Sequence, residues 1–206
     1  AVVRLGQKRA LVQEMPAVEV LARVDVVCVD KTGTLTEPGM AVNELVTLDD
    51  APQSQTEAVL GALGGSENSP NPTLAAVAHE YPAPGWQTQS SVPFSSARKW
   101  SAAAFFDHGS WLLGAPEVLL ADESGAAVDV ARSKADELAG GGARVLLLAE
   151  STASHPAQGP TGDGQIGPVR PVALVAIDQR LRSDAAGTVG YFLEQGVTVK
   201  VISGDN

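Results

Sequence analysis

The stretch "VDVVCVDKTGTLTEPG", Val24–Gly39, runs an apolar, β-branched segment straight into Asp30, then into Lys31, Gly33 and a row of threonines. The segment Val24–Val29 predicts a strand of the kind buried on both faces of a parallel sheet. In open α/β sheets ligands collect beyond the carboxyl ends of the strands, and Asp30 sits at that end. A carboxylate there can attack phosphorus. Phosphoryl transfer asks for positioning and neutralised charge, so cations, hydroxyls and backbone N–H groups belong around the nucleophile. Lys31 is adjacent, Gly33 lets the backbone fold tightly, and Thr32, Thr34 and Thr36 offer donors. A lone aspartate after a strand reads as a turn or helix cap. Seven consecutive residues of this chemistry read as a site.

The rest of the chain sets bounds on that reading. Its 206 residues, 44% hydrophobic, suffice for one large or two small domains with a packed core. The net charge of −10 opposes binding to a phosphate backbone, so no nucleic acid is expected as a partner. No apolar run approaches the roughly 20 residues that cross a bilayer, and no signal peptide is visible. The single cysteine, Cys28, excludes an internal disulfide and, inside an apolar strand, predicts a buried packing role.

Secondary-structure signals divide the chain in three. Residues 1–39 carry a short helix from Pro16 to Arg23, with Val20 and Leu21 facing inward, and the strand before Asp30. At the other end, residues 169–206 read as β-α-β: a strand Pro171–Ile177, a helix capped by Ser183 and closed by Gly196, and a strand Val197–Ile202. The middle, residues 40–168, reads as α+β. Ser54-x-x-Glu57 forms a capping box for a helix to Leu63, and Asn71-Pro72 opens a second helix to Glu80. Ser101–Phe106 and Ser110–Leu113 flank a hairpin turn, and Arg144–Ala149 is a strand. Helices are expected over Pro116–Leu120 and Asp129–Ala139, stopped by Gly140–Gly142. Ser151–Pro168, rich in Ser, Pro, Gly and Gln, reads as a mobile loop.

"DKTGTLT", Asp30–Thr36, resembles the phosphorylation motif of P-type ATPases, whose catalytic domain has the haloacid dehalogenase (Rossmann-like) fold. The resemblance follows the family order along the chain. "PFSSARKWS" is similar to the nucleotide-domain segment in which Phe94 stacks on adenine and Lys99 lies in the pocket. "LLGAPE", with Gly114 and Ala115, is similar to the family's KGAPE turn. "ARVLLLA" is similar to a strand whose arginine, Arg144, faces phosphate. "IDQRLRSDA" is similar to the hinge motif, with Arg182 at its arginine. "VISGDN" is similar to the TGDN motif, Ser203 standing for Thr before Gly204 and Asp205.

The resemblance implies a partial phosphorylation domain (1–39 and 169–206) carrying an inserted α+β nucleotide-binding domain (40–168) with an antiparallel sheet. It implies ATP as substrate, Asp30 as phosphoryl acceptor beside Lys31, and Mg²⁺ held by the Asp30 carboxylate and the Thr32 carbonyl. Thr34 would touch the transferred group. The parent would be a bacterial cation transporter anchored by membrane helices outside this sequence, with this piece on the cytoplasmic face and calcium a candidate cargo.

Three departures bear on nucleotide affinity. Leu113 occupies the lysine position of KGAPE, Leu74 stands where relatives carry a glutamate, and Gln179 falls at the hinge aspartate, with Asp178 one place early.

Two other functions stay open. Small-molecule phosphatases of the same fold use a second aspartate two residues after the nucleophile as general acid; Thr32 occupies that position and cannot do that work. A nucleotide-binding module without catalysis is the other. "GDGQIG", Gly162–Gly167, fits G-x-G-x-x-G, but no strand leads into it and prolines follow, so the dinucleotide reading fails. His79, His108 and His155 share no ligand spacing, and the three tryptophans read as core or rim aromatics.

Overall fold

A computed structural model describes residue 16, residues 19–20, 22–151 and 166–202. It divides into two compact units, one formed by Gly39–Gln179 and the other by the segments on either side of it.

The larger unit is built on one six-stranded antiparallel sheet. Its strands are β2 (Ala41–Thr47), β3 (Thr88–Val92), β4 (Trp100–Phe105), β5 (Gly109–Gly114), β6 (Arg144–Ser151) and β7 (Val169–Asp178), in spatial order β2-β7-β6-β5-β4-β3. Helices α1 (Gln53–Gly64) and α2 (Pro72–Glu80) supply Leu60, Leu63, Leu74 and Val77 to one face, where they meet Leu113, Leu148 and Val175. Helices α3 (Pro116–Leu119) and α4 (Ala126–Ala139) supply Leu119, Val128, Ala131 and Ala135 to the other, against Leu112, Leu147 and Leu174. Adjacent residues of one strand therefore enter opposite cores, as strand pleating requires. Both faces are covered, and Leu147, Leu148, Leu174 and Val175 are wholly buried.

Local chemistry sets the helix ends. Asn71 caps α2, its Oδ1 accepting from the Thr73 and Leu74 N–H groups at 3.0 and 2.9 Å, with Pro72 in the first turn. The expected Ser54 capping box does not form. The helix starts two residues earlier, with Pro52 at its cap, and Gln53 Nε2 donates to Glu57 Oε1 at 2.8 Å, which occupies the glutamate. Helix α4 begins three residues before the expected Asp129, and Gly142, at φ +87°, ends the turn that follows it.

The smaller unit contains a parallel pair, β1 (Val26–Asp30) and β8 (Thr198–Ile202), registered so that Asp30 faces Ile202. Helix α5 (Ala185–Glu194) precedes β8. Four expectations change here. The strand over Pro171–Ile177 is β7, hydrogen-bonded antiparallel to β2 and β6, so the chain leaves the larger unit at Gln179, not near Pro168. Cys28 is exposed, because among the described residues β1 pairs only with β8 and lacks the second layer that double-faced burial needs. Ser183 does not cap α5. Asp184 is its cap residue, and that carboxylate accepts from Arg182 Nε at 3.1 Å instead of from the helix. Of the expected Pro16–Arg23 helix, Val20 is exposed and Leu21 lies outside the described residues. Most of the expected Ser151–Pro168 loop, residues 152–165, also lies outside them.

Candidate functional site

Asp30 ends β1 in extended conformation, and the chain turns at once through Lys31–Leu35. Asp30 Oδ1 has a long contact, 3.4 Å, with the Thr32 N–H, and the carboxylate is exposed. Gly33 takes φ +74°, a backbone conformation that a β-carbon disfavours, so the tight turn requires glycine at this point. Thr36 is the residue that closes the turn. Its hydroxyl accepts from the Gly33 N–H at 3.0 Å and donates to the Lys31 carbonyl at 3.2 Å. It is 2% exposed. The expectation that Thr36 offers a free donor is corrected: its hydroxyl shapes the loop, whereas Thr32 and Thr34 remain exposed.

The hinge segment is tied to this turn. Thr36 bridges antiparallel to Leu181, the Arg182 N–H donates to the Leu35 carbonyl at 2.9 Å, and Glu37 N–H donates to the Arg180 carbonyl at 2.7 Å. Arg182 therefore belongs with Asp30 in the smaller unit and does not line the cleft described below. Ser203, Gly204 and Asp205 follow Ile202 directly and lie outside the described residues.

For Mg²⁺ the hard oxygens at hand, the Asp30 carboxylate and the Thr32 carbonyl, are of the right chemistry. They form a partial set, since no group of three or more His, Cys, Asp or Glu suited to a metal occurs among the described residues.

The larger unit carries a cleft of about 790 Å³, within the range of small-molecule sites. Five residues expected at a nucleotide site, Phe94, Lys99, Gly114, Ala115 and Arg144, all line it. Phe94 is 40% exposed, and its N–H donates to Glu67 Oε1 at 3.2 Å. Gly114 has no room for a side chain: an added β-carbon would lie 2.8 Å from both the Lys99 carbonyl and Trp100 Cα. That close approach lets the Ala115 N–H reach the Lys99 carbonyl at 3.0 Å. Lys99 itself sits in the left-handed region, φ +59°, which a non-glycine residue adopts at some cost. Arg144 Nη1 donates to Thr73 Oγ1 at 3.2 Å, which holds the guanidinium to a second residue of the cleft lining.

Leu74 and Leu113, two of the three departures from the family pattern, are buried and form apolar floor. Sequence reading missed Asn71, Thr73 and Glu117. The first two looked like helix-start residues and also line the cleft; Glu117 was one letter of a turn motif.

No family model matches the chain. Along its full length it is 51% identical to "Calcium-transporting ATPase CtpE" of Mycobacterium tuberculosis, covering 25% of that protein. It is 38% identical to "Probable cation-transporting ATPase exp7" of Streptococcus pneumoniae, again over the whole chain and 25% of the relative. The crystal structure of a zinc-transporting PIB-type ATPase in the E2.Pi state superposes on the whole chain and 30% of that structure, with a TM-score of 0.72 at 22% identity. At that identity the match speaks for the fold alone. Over its whole length the chain is thus homologous to part of these calcium- and cation-transporting ATPases, and it shares its fold with part of a PIB-type ATPase. It spans about a quarter of the length of these curated relatives.

Proposed function

We propose that this chain is the cytosolic ATP-handling segment of a P-type cation-transporting ATPase. The parallel β1–β8 unit is read as part of a haloacid-dehalogenase-like phosphorylation domain, and Gly39–Gln179 as its inserted nucleotide-binding domain. The observation that carries this is the turn at Asp30. An exposed carboxylate ends a parallel strand, opposite the strand whose next residues are Ser203-Gly204-Asp205. Thr36 holds the loop around it from behind.

In this reading an Asp30 carboxylate oxygen attacks the γ-phosphorus of ATP. The bond from that phosphorus to the bridging oxygen breaks, and ADP leaves with the electron pair. Lys31 and the exposed Thr34 hydroxyl lie beside the incoming group. Mg²⁺, when bound by Asp30 and the Thr32 carbonyl, offsets phosphate charge. Thr32 in place of an acid leaves no general base to hydrolyse the acyl phosphate, which suits a pump that must hold that intermediate. The names of the mycobacterial relatives favour calcium as the cargo of the parent protein, with this segment on the cytoplasmic face of the cell membrane.

The test is labelling of the full-length protein with γ-labelled ATP. An acid-stable, hydroxylamine-sensitive phosphoprotein is expected, absent in Asp30→Asn and increased by calcium. Equal labelling of both proteins sinks the assignment of Asp30, and indifference to calcium sinks the cargo.

A further inference from the structure

The charged side chains lining the cleft are Lys99, Arg144 and Glu117. Two of them face each other: Lys99 Nζ lies 3.5 Å from Glu117 Oε1. The Lys99 backbone is fixed on both sides, its N–H donating to the Ser95 carbonyl at 2.7 Å and its carbonyl accepting from Ala115. The ammonium thus enters the cleft from a rigid point. Glu117, two residues beyond Ala115, meets it there with a side chain that is 65% exposed. A carboxylate in that place occupies the cation that an anionic ligand needs.

We propose that Glu117 is a charge-tuning residue of the cleft, an internal counter-anion that competes with ligand phosphates for Lys99. This rests on reading the cleft as a nucleotide site and goes beyond it by naming what sets its preference among nucleotides. With Leu113 adding no charge, the lining cations exceed the acid by one (Lys99 and Arg144 against Glu117). Removing the carboxylate doubles that excess. The attraction gained scales with the charge on the ligand, so it falls through ATP, ADP and AMP and vanishes for adenosine. A glutamate in the first turn of a short helix also has an ordinary role toward the helix terminus. That role would appear in stability and would not follow ligand charge.

The experiment titrates metal-free ATP, ADP, AMP and adenosine into this chain and its Glu117→Gln variant by calorimetry at low salt. The expected result is ATP binding tighter by about two- to fivefold, the scale of an exposed ion pair. The gain should be smaller for ADP, smaller again for AMP, and absent for adenosine. It should also shrink at about 1 M salt, where charges are screened over roughly 3 Å. In a Lys99→Met background the gain from Glu117→Gln should shrink, because the carboxylate then has no cation to withhold and only repels phosphate directly; an undiminished gain there overturns the competition for Lys99. Weaker or unchanged ATP binding in Glu117→Gln overturns the proposal, as does an equal gain for adenosine. A lowered unfolding midpoint with unchanged affinities overturns it in favour of the helix-terminus role. If the nucleotide reading itself is at fault, neither protein binds any member of the series, a distinct result that removes both.

Discussion

The two units of the molecule use their residues in opposite ways. Among the described residues, every buried hydrophobic side chain, from Val59 to Ile177, lies in Gly39–Gln179. The unit that carries the Asp30 turn has one buried residue among those described, the polar Thr36, and leaves Val26, Leu181, Tyr191, Leu193, Val201 and Ile202 exposed. A cleft that must hold a shape needs a sheet clamped between two apolar layers. A turn that presents a carboxylate needs one glycine at positive φ and one threonine bonded in both directions. The smaller unit is therefore held by short polar links, and the larger unit by its core.

Core truncation tests that contrast most severely. Leu148 is fully buried between strands and α1–α2, and Leu148→Ala should cost about 2–5 kcal/mol in urea unfolding of this chain. Val201 is 55% exposed, and Val201→Ala should cost less than about 0.5 kcal/mol. Comparable losses at both positions would mean that the smaller unit has a core after all.

Gly114→Ala sharpens the contrast from within the larger unit. The new methyl meets the Lys99 carbonyl and the Trp100 backbone, neither of which can swing away. Overpacking of this kind should cost about 1–3 kcal/mol. It should also move Lys99 and lower affinity for ATP. Gly64→Ala is the control: its methyl would press on Ala78, 2.8 Å from Cα, at the crossing of α1 and α2. A similar stability loss with unaltered ATP affinity is expected there. If both variants bind ATP like the parent chain, the close approach at Gly114 does not set the cleft.

The same division explains what could be read from sequence. The Asp30–Thr36 turn was legible because its chemistry lies in seven adjacent letters, and the strand before Asp30 and the strand to Ile202 were legible as β-branched runs. The hairpin and the Asn71 cap were legible for a similarly local reason. Strand β7 is misplaced by a sequence reading because "PVALVAI" is continuously apolar, a pattern that suggests parallel pairing. Continuous apolarity reports burial on both faces; here α1–α2 and α3–α4 supply that burial to an antiparallel sheet. The cleft residues Phe94, Lys99, Gly114 and Arg144 came from motif resemblance, and the larger unit's fold gathers them. Glu117 and Thr73 acquire their roles only across the fold, from partners 18 and 71 residues away along the chain. No local pattern marks such pairs.

The smallest expected effect lies in the polar links of the smaller unit. Arg182 holds the Asp184 carboxyl below the usual carboxylate range, first through the hydrogen bond from Nε and then through its charge. The folded state therefore binds fewer protons at Asp184 than the unfolded chain does. Its contribution to stability is present above the unfolded value, about pH 4, and disappears as pH falls through the lower folded value. Arg182, raised by the same partner, would lose its contribution only at extreme alkaline pH. Both groups face solvent, so the gain is slight and screened by salt. NMR titration of the Asp184 side chain should show its midpoint returning to the ordinary carboxylate range in Arg182→Met, with the main-chain link from Arg182 N–H to Leu35 preserved. Unfolding of the two proteins should differ slightly above about pH 4 and converge below it. An Asp184 midpoint that ignores Arg182→Met would show that the pair is not formed in solution.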